Sequence, residues 1–273
     1  RNTYWIMAAV MGVGVVTTLI IREPVSKQIR IDRPASAYAR LVLVFVLSVA
    51  AFIIAFVNVG ALLPETDSVM FAFVLEVVHL LASLLVASVV GYLSVKVGVV
   101  KQEMAYTTWV EPVVDFFRRY GKKALLLLAL IGLYRISDIV AGVISNVFYQ
   151  DMGFSKTDIA NAVKLVGVIM VIAGGFLGGI LAQKLRMMQA MMVGAILACV
   201  TNLLFVLLTY HPGSLPHMYV AVIFDNLAAG LASAVFIAFL SALTSIRFTA
   251  VQYAIFSSLM TLLPKVMGGY SGA

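Results

Sequence analysis

Apolar runs of roughly 20 residues, the length that a helix needs to cross the hydrocarbon core of a bilayer, recur along the chain between short polar segments. The composition has the same bias, because 63% of the 273 residues are hydrophobic and 11% are charged, whereas soluble domains carry roughly 25% charged residues. The sequence therefore predicts an all-α membrane protein, a polytopic helical bundle with about eight transmembrane helices. These runs leave no room for a large soluble domain.

The predicted spans lie at residues 4–21, 41–63, 69–95, 124–158, 159–181, 187–208, 217–243 and 250–267. Between the third and fourth spans, Trp109, Phe116 and Tyr120 recur at helical spacing among charged residues. This pattern predicts a short helix over residues 102–120 that lies on the membrane surface and links two parts of the fold. Since the chain does not begin with Met and ends in a Gly/Ser-rich stretch, we expect a fragment of a longer protein.

The basic residues are distributed unevenly between the two sides that these spans define. Most of the 19 Lys and Arg residues fall on one side, in loops such as the one from Arg22 to Arg40, and only Arg1 and Lys156 fall on the other. The positive-inside rule makes the basic side cytoplasmic. The net charge of +7 is therefore a topology signal with anionic lipid headgroups as neighbours, and we expect no nucleic-acid partner.

Two charges interrupt the fourth apolar run. Arg135 and Asp138 lie three residues apart near its middle, and a charge at bilayer depth costs at least ~2.5–3.5 kcal/mol on insertion scales. One interpretation is an internal ion pair that only holds helices together. The other is a transport path lined by this helix.

A series of longer motifs resembles one transporter family. These motifs are LYRISDIVAGVISNVFYQDMGFSKTDIANAVK, then GGILAQKLR, then FDNLAAGLASAVFIAFLSALT, then FTAVQYAIFSSL, in that order. From about Glu111 onward the chain resembles the AmpG muropeptide permeases, in the peptide/acetyl-CoA transporter branch of the major facilitator superfamily. The resemblance implies a proton-driven importer that carries GlcNAc–anhydroMurNAc peptides across the bacterial inner membrane for peptidoglycan recycling.

The resemblance also implies a division of the chain. Residues 1–21 would be the last helix of an N-terminal bundle, and residues 22–100 would hold two extra helices at the periphery. Residues 101–123 would form a cytoplasmic amphipathic linker, and residues 124–273 would supply five of the six helices of a C-terminal bundle. The sixth span, with only Cys199, Thr201 and Asn202 as small polar groups, would face lipid. We expect a monomer that binds the bilayer, a sugar-peptide and protons, with no cofactor and no metal.

Candidate site residues follow from the chemistry of such a substrate. A sugar-peptide carries hydroxyls, amides and carboxylates, and each buried polar group left unpaired costs ~1–3 kcal/mol. Basic side chains could hold its carboxylates, amides could bond its amides and hydroxyls, and tyrosines could pack on its rings. The candidate substrate-binding residues are Tyr134, Arg135, Asn161, Lys164, Asn226, Gln252 and Tyr253, and the candidate proton-coupling residues are Asp138 and Asp225.

Several of these residues also have a structural interpretation. Lys164 lies near a helix end and could extend its ammonium to the headgroups, and Asn226 could join neighbouring helices. Asp225 could pair with Lys164 or cap a local structure. Glu76, His79 and Lys265 are left without an assigned role.

Three other functional classes are alternatives to transport by an AmpG-type permease: a membrane enzyme, a carrier of another solute and a membrane scaffold. A membrane enzyme would need a nucleophile–base set or a metal site, and the sequence offers neither, so we do not expect an enzyme. A carrier for acetyl-CoA or another peptide-like solute is the nearest alternative. A membrane scaffold that does not transport is a further one.

Overall fold

The computed structural model describes residues 2–21, 33–64, 66 and 68–269. Arg1, most of the basic loop between Arg22 and Arg40, two acidic residues of the second loop and residues 270–273 lie outside the described part, as do the side chains of Asp138 and Lys265. The chain divides into two units, Arg1–Arg33 and Pro34–Ala273. The described part of the first unit contains one helix, α1 (Asn2–Ile20).

The second unit holds the remaining described helices. It begins with a hairpin, α2 (Ala35–Gly60) and α3 (Val69–Lys96), and continues with α4 (Gln102–Ala105), a π-helical stretch (Tyr106–Val110) and α5 (Glu111–Tyr120). Next come α6 (Lys123–Leu133), α7 (Ile136–Asp151), α8 (Lys156–Ile159), a second π-helical stretch (Ala160–Gly167) and α9 (Val168–Lys184). The last three helices are α10 (Met187–Thr209), α11 (Leu215–Leu243) and α12 (Thr249–Gly269).

Five described helices are long and apolar enough to cross a membrane, namely Ala35–Gly60, Met70–Lys96, Lys156–Lys184, Met187–Thr209 and Leu215–Leu243. The other predicted spans correspond to shorter apolar helices, Met7–Ile20, Lys123–Leu133 and Thr249–Leu262. All regular secondary structure in the described residues is helical. The chain is thus an all-α, multi-pass membrane protein, as the sequence predicted, and the total of eight spans stays a prediction.

The fourth predicted span differs from the structure at two places. It is interrupted at Tyr134 and Arg135, where Arg135 has φ −106° and ψ 12°, outside helical geometry. It also ends at Asp151 rather than residue 158, because Gly153 turns the chain with a φ of 84°. The next helix then starts with a capping box in which Ser155 and Asp158 exchange hydrogen bonds, so Lys156–Thr157–Asp158 belongs to the following span.

Glycines allow α9 and α11 to pack at backbone contact. A Cβ added at Gly174 would collide with the carbonyl of Leu227, and one at Gly178 would collide with the carbonyl of Leu231. Gly175 and Gly179 have nothing within 4 Å of the same position, so they face away from this interface. The glycines of α9 therefore form one face that packs closely against α11 and one face that is open.

The amphipathic segment is helical over the predicted range of 102–120. Its first part packs with the α2–α3 hairpin in a cluster built from Val44, Val100 and Met104. In α5, the ring of Phe116 is 3% exposed and contacts Phe256 of α12 with ring centroids 5.0 Å apart. The segment therefore joins the hairpin to the helices that follow. The division into bundles, extra helices and linker stays a prediction.

Candidate functional site

The candidate site begins at the interruption between α6 and α7. Arg135 is half-buried there, and Asp138 is the third residue of α7, so both lie within one turn of the point where the helix restarts. Transporters commonly place substrate and ion sites at discontinuous membrane helices near the bilayer midplane. The interruption thus coincides with the two charges that the sequence singled out, although the side chain of Asp138 is outside the described part.

Exposed polar side chains occur both in α7 and in the helix that follows it. Ser137, Asn146 and Gln150 of α7 are exposed, as are Asn161 and Lys164 on the helix that follows. Asn161 and Lys164 lie in the π-helical stretch Ala160–Gly167, a local widening often found at functional sites. Polar groups at membrane depth are expensive to expose to lipid. A water-filled cavity or another protein segment is the environment that suits such exposed polar groups. Asn161 and Lys164, less than one helical turn apart, are here called the exposed polar face.

Asp225 occupies a different position, toward α10. Thr201 Oγ1 of α10 donates to Asp225 Oδ1 at 3.5 Å, and buried Tyr149 of α7 is close enough to interact with the carboxylate electrostatically. Thr201 is 6% exposed. The sixth predicted span, observed as α10, therefore has a polar contact inside the protein as well as a predicted lipid-facing surface. Its buried Thr201 hydroxyl faces the candidate residue Asp225.

Two other candidates make contacts within the protein. Tyr134 Oη donates to the carbonyl of Met191 at 2.9 Å, and the Tyr134 ring is stacked on Phe236 with centroids 4.9 Å apart. Asn226 Nδ2 donates to the carbonyl of Val222 at 2.8 Å, and its side chain packs against Gly167. These contacts favour the interhelical role for Asn226 and a packing role for Tyr134. Direct substrate contacts by these two residues stay predictions.

Gln252 lies in a polar cluster formed with Asp115 and Arg119 of α5, here called the helix-end cluster. The Gln252 side chain donates to the Pro112 carbonyl at 2.8 Å and to Asp115 Oδ2 at 3.1 Å. Its oxygen accepts from Arg119 at 2.9 Å and from the backbone N–H of Ser245 at 2.7 Å. These bonds tie α5 to the connection between α11 and α12.

Gln252 is buried within the helix-end cluster, whereas the candidate residues Asn161 and Lys164 are exposed. Arg119 also donates to the carbonyl of Leu243 at 3.1 Å, at the end of α11, and Arg247 pairs with Glu111 at 2.9 Å. Tyr253 is half-buried and packs against the apolar core around Phe116 and Phe256. The geometry thus favours structural roles for Gln252 and Tyr253, and their predicted substrate contacts remain untested.

The sequence reasoning missed Asp115, Arg119 and Thr201 as partners of candidate residues. Asp115 and Arg119 are four apart on α5 and bond at 2.9 Å, a spacing that signals a pair within a helix. Their contacts with Gln252 span more than a hundred residues and had no local signal. The described residues contain no group of three His, Cys, Asp or Glu side chains that could hold a metal ion.

Comparison with known proteins yields relatives that are named as transporters or permeases. The anhydromuropeptide permease of Escherichia coli K12 is 33% identical over 164 residues, which are 60% of this chain and 33% of that protein. The resemblance to AmpG-type permeases is confirmed. The putative transporter AmpG 4 of Rickettsia conorii is 26% identical over 171 residues, or 62% of this chain and 41% of that protein. The corresponding protein of Rickettsia felis is 28% identical over 163 residues, or 60% of this chain and 39% of that protein.

These matches define the extent of the similarity. The aligned part of the chain spans between 33% and 41% of the length of these three relatives. No protein-family model matches the chain. The relatives are named as transporters and permeases, and this chain is similar to them over the aligned residues.

Proposed function

We propose that this chain is part of a proton-coupled secondary transporter that imports anhydromuropeptides, the GlcNAc–anhydroMurNAc peptides released by cell-wall turnover, across the bacterial inner membrane. The observation that carries the proposal is the 33% identity to the anhydromuropeptide permease of Escherichia coli over 164 residues. The similarity covers a minor part of that relative, so activity belongs to the longer protein. Peptidoglycan recycling is the process that such a transporter would serve.

The exposed polar face supports this proposal on physical grounds. Asn161 and Lys164 present an amide and an ammonium on a helix long and apolar enough to span a membrane. In the proposal, this face lines the substrate path together with the interruption at Arg135. The amide would bond hydroxyls or peptide groups, and the two basic groups would hold carboxylates of the peptide.

Coupling to protons would come from competition for the basic groups. In the proposal, Asp138 and Asp225 balance the charges of Arg135 and Lys164 when no substrate is bound. An anionic substrate would take over the basic groups and leave a carboxylate without its cation, which favours protonation of that carboxylate. Substrate entry and proton entry would then promote one another, because coupling between two sites is reciprocal.

Competition between substrates tests the proposed function. The full-length protein, reconstituted in proteoliposomes, would be supplied with labelled anhydromuropeptide and an excess of either unlabelled anhydromuropeptide or acetyl-CoA. We expect uptake that the unlabelled muropeptide suppresses and acetyl-CoA leaves unchanged. Suppression by acetyl-CoA alone would assign the protein to the other carrier class, and no uptake by folded protein would contradict the proposal.

A further inference from the structure

A cavity of about 390 Å³ opens at the loop end of the α2–α3 hairpin, apart from the proposed substrate path. Leu63, Pro64, Ala72 and Leu75 supply apolar walls, and Glu76 and His79 supply ionisable groups. Glu76 lies seven residues into α3, roughly 10 Å from the helix start at 1.5 Å per residue. The cavity is therefore close to the membrane surface.

His79 is held in one orientation. Its ring is stacked on Phe56 with centroids 3.9 Å apart, and its Nε2 lies 2.6 Å from the Phe56 carbonyl oxygen. A carbonyl can only accept, so Nε2 carries the hydrogen. Gly60 leaves the space for this ring, because a Cβ there would lie 3.0 Å from His79 Cε1. The second ring nitrogen, Nδ1, therefore faces Glu76.

The carboxylate of Glu76 keeps acceptor capacity toward the cavity. Its Oε2 lies 3.4 Å from His79 Nδ1, and its side chain is 42% exposed while that of His79 is 5% exposed. When His79 is neutral, the lone pairs of Nδ1 and Oε2 face each other across 3.4 Å, and an N–H donor placed beside both atoms can bridge them. When His79 is protonated, one acceptor site of the carboxylate is used and up to about three others remain.

We propose that this cavity binds a primary ammonium group, with Glu76 as its anionic partner and the apolar walls contacting the body of the ligand. An ammonium has three N–H donors and no acceptor, which matches a carboxylate set in an apolar wall. The Glu76 side chain is partly exposed at the cavity, so an incoming ammonium can reach its carboxylate. The ligand is either the ethanolamine headgroup of a lipid or a soluble primary amine.

Lipid retention by the full-length protein tests the inference. Purified protein in detergent would be mixed with equal amounts of an ethanolamine lipid and a choline lipid, and native mass spectrometry would count the lipids bound. Choline has the same charge but no N–H donor. We expect selective retention of the ethanolamine lipid and a loss of about ten-fold in Glu76→Gln, or ~1.4 kcal/mol, because the neutral amide no longer pairs with the ammonium charge.

Two further variants separate loss of the binding site from a general effect of substitution. Ala72→Leu narrows the cavity without changing the carboxylate and should also lower retention. Glu103→Gln removes an exposed carboxylate of α4 and should leave retention unchanged. Equal retention of both lipids, or unchanged retention in Glu76→Gln, would overturn a lipid headgroup as the ligand.

A second arm distinguishes a soluble amine from a lipid. Free ethanolamine would be added to the lipid-free protein, and the melting temperature would be measured. Stabilisation of the wild-type protein but not of Glu76→Gln, without lipid selectivity, would identify a soluble amine as the ligand. If neither lipid selectivity nor Glu76-dependent stabilisation is found, the ammonium site does not exist.

Discussion

The amide of Gln252 uses both of its ends inside the protein. It is 1% exposed, its nitrogen donates to Pro112 and Asp115, and its oxygen accepts from Arg119 and Ser245. An amide has two donors and two acceptor lone pairs, so these bonds account for its hydrogen-bonding capacity. Such a residue joins helices, whereas exposed Lys164 is free to meet a ligand.

Replacing Gln252 with Ala should lower stability without removing transport. The substitution leaves the Ser245 N–H and the Pro112 carbonyl without their side-chain partner, and each unpaired buried group costs ~1–3 kcal/mol. We expect a lower melting temperature in detergent and near-normal uptake per folded molecule. Gln102→Ala, on an exposed residue of α4, is the control and should change neither stability nor uptake. Normal stability with lost uptake would instead support the substrate-binding role.

Replacing Lys164 with Gln should weaken substrate binding and leave stability unchanged. Lys164 is exposed on the π-helical stretch, so its removal leaves packing unchanged but takes away a cation for the substrate carboxylate. We expect the apparent KM for an anionic muropeptide to rise about ten-fold, since charge-assisted bonds are worth ~1.5–3 kcal/mol. Lys156→Gln, at the exposed start of the same helix, should have no effect. An unchanged KM would indicate that the Lys164 ammonium reaches the lipid headgroups and does not bind the substrate.

At the scale of helices, local pattern predicted most of the boundaries. The predicted span over 187–208 is observed at Met187–Thr209, and that over 217–243 at Leu215–Leu243, because apolar length alone defines such helices. The interruption at Tyr134 and Arg135 was not predicted. No proline or glycine occupies these two positions, and the contacts of Tyr134 with Met191 and Phe236 connect residues distant in sequence.

The same limit applies to the candidate site. Hydropathy singled out Arg135 and Lys164, because charged residues in apolar runs are conspicuous. It could not distinguish the exposed amide of Asn161 from the buried amide of Gln252, since polarity alone does not reveal partners. Tertiary contacts make that distinction.

The α9–α11 interface gives a prediction at this scale. Gly178 has the backbone of Leu231 where a Cβ would lie, whereas neighbouring Gly179 has nothing within 4 Å. Gly178→Leu should force the helices apart at a cost of about 1–3 kcal/mol or more, which would lower the melting temperature and the yield of folded protein. Gly179→Leu is the matched control and should be tolerated. Equal stability of the two variants would contradict this packing.

At the scale of the whole molecule, the proposed transport depends on a path that the longer protein completes. The matched part of this chain spans 33% to 41% of its relatives' length. The chain itself carries an interrupted helix followed by an exposed polar face. Coupling between substrate and protons is a property of that complete path. In the proposal, replacing Asp138 removes the coupling of substrate uptake to protons and leaves the protein folded, so this substitution distinguishes a coupling role from a structural one.

The central claim is tested most directly by uptake of anhydromuropeptide into proteoliposomes that contain the full-length protein, normalised to folded protein. An acidic outer solution would be compared with the same solution plus a protonophore. We predict accumulation that requires the proton gradient, a strong loss of it in Asp138→Asn, and no loss in Asp151→Asn, at the exposed end of α7. Uptake that is insensitive to the gradient, or normalised uptake in Asp138→Asn equal to that of the wild type, would contradict the account.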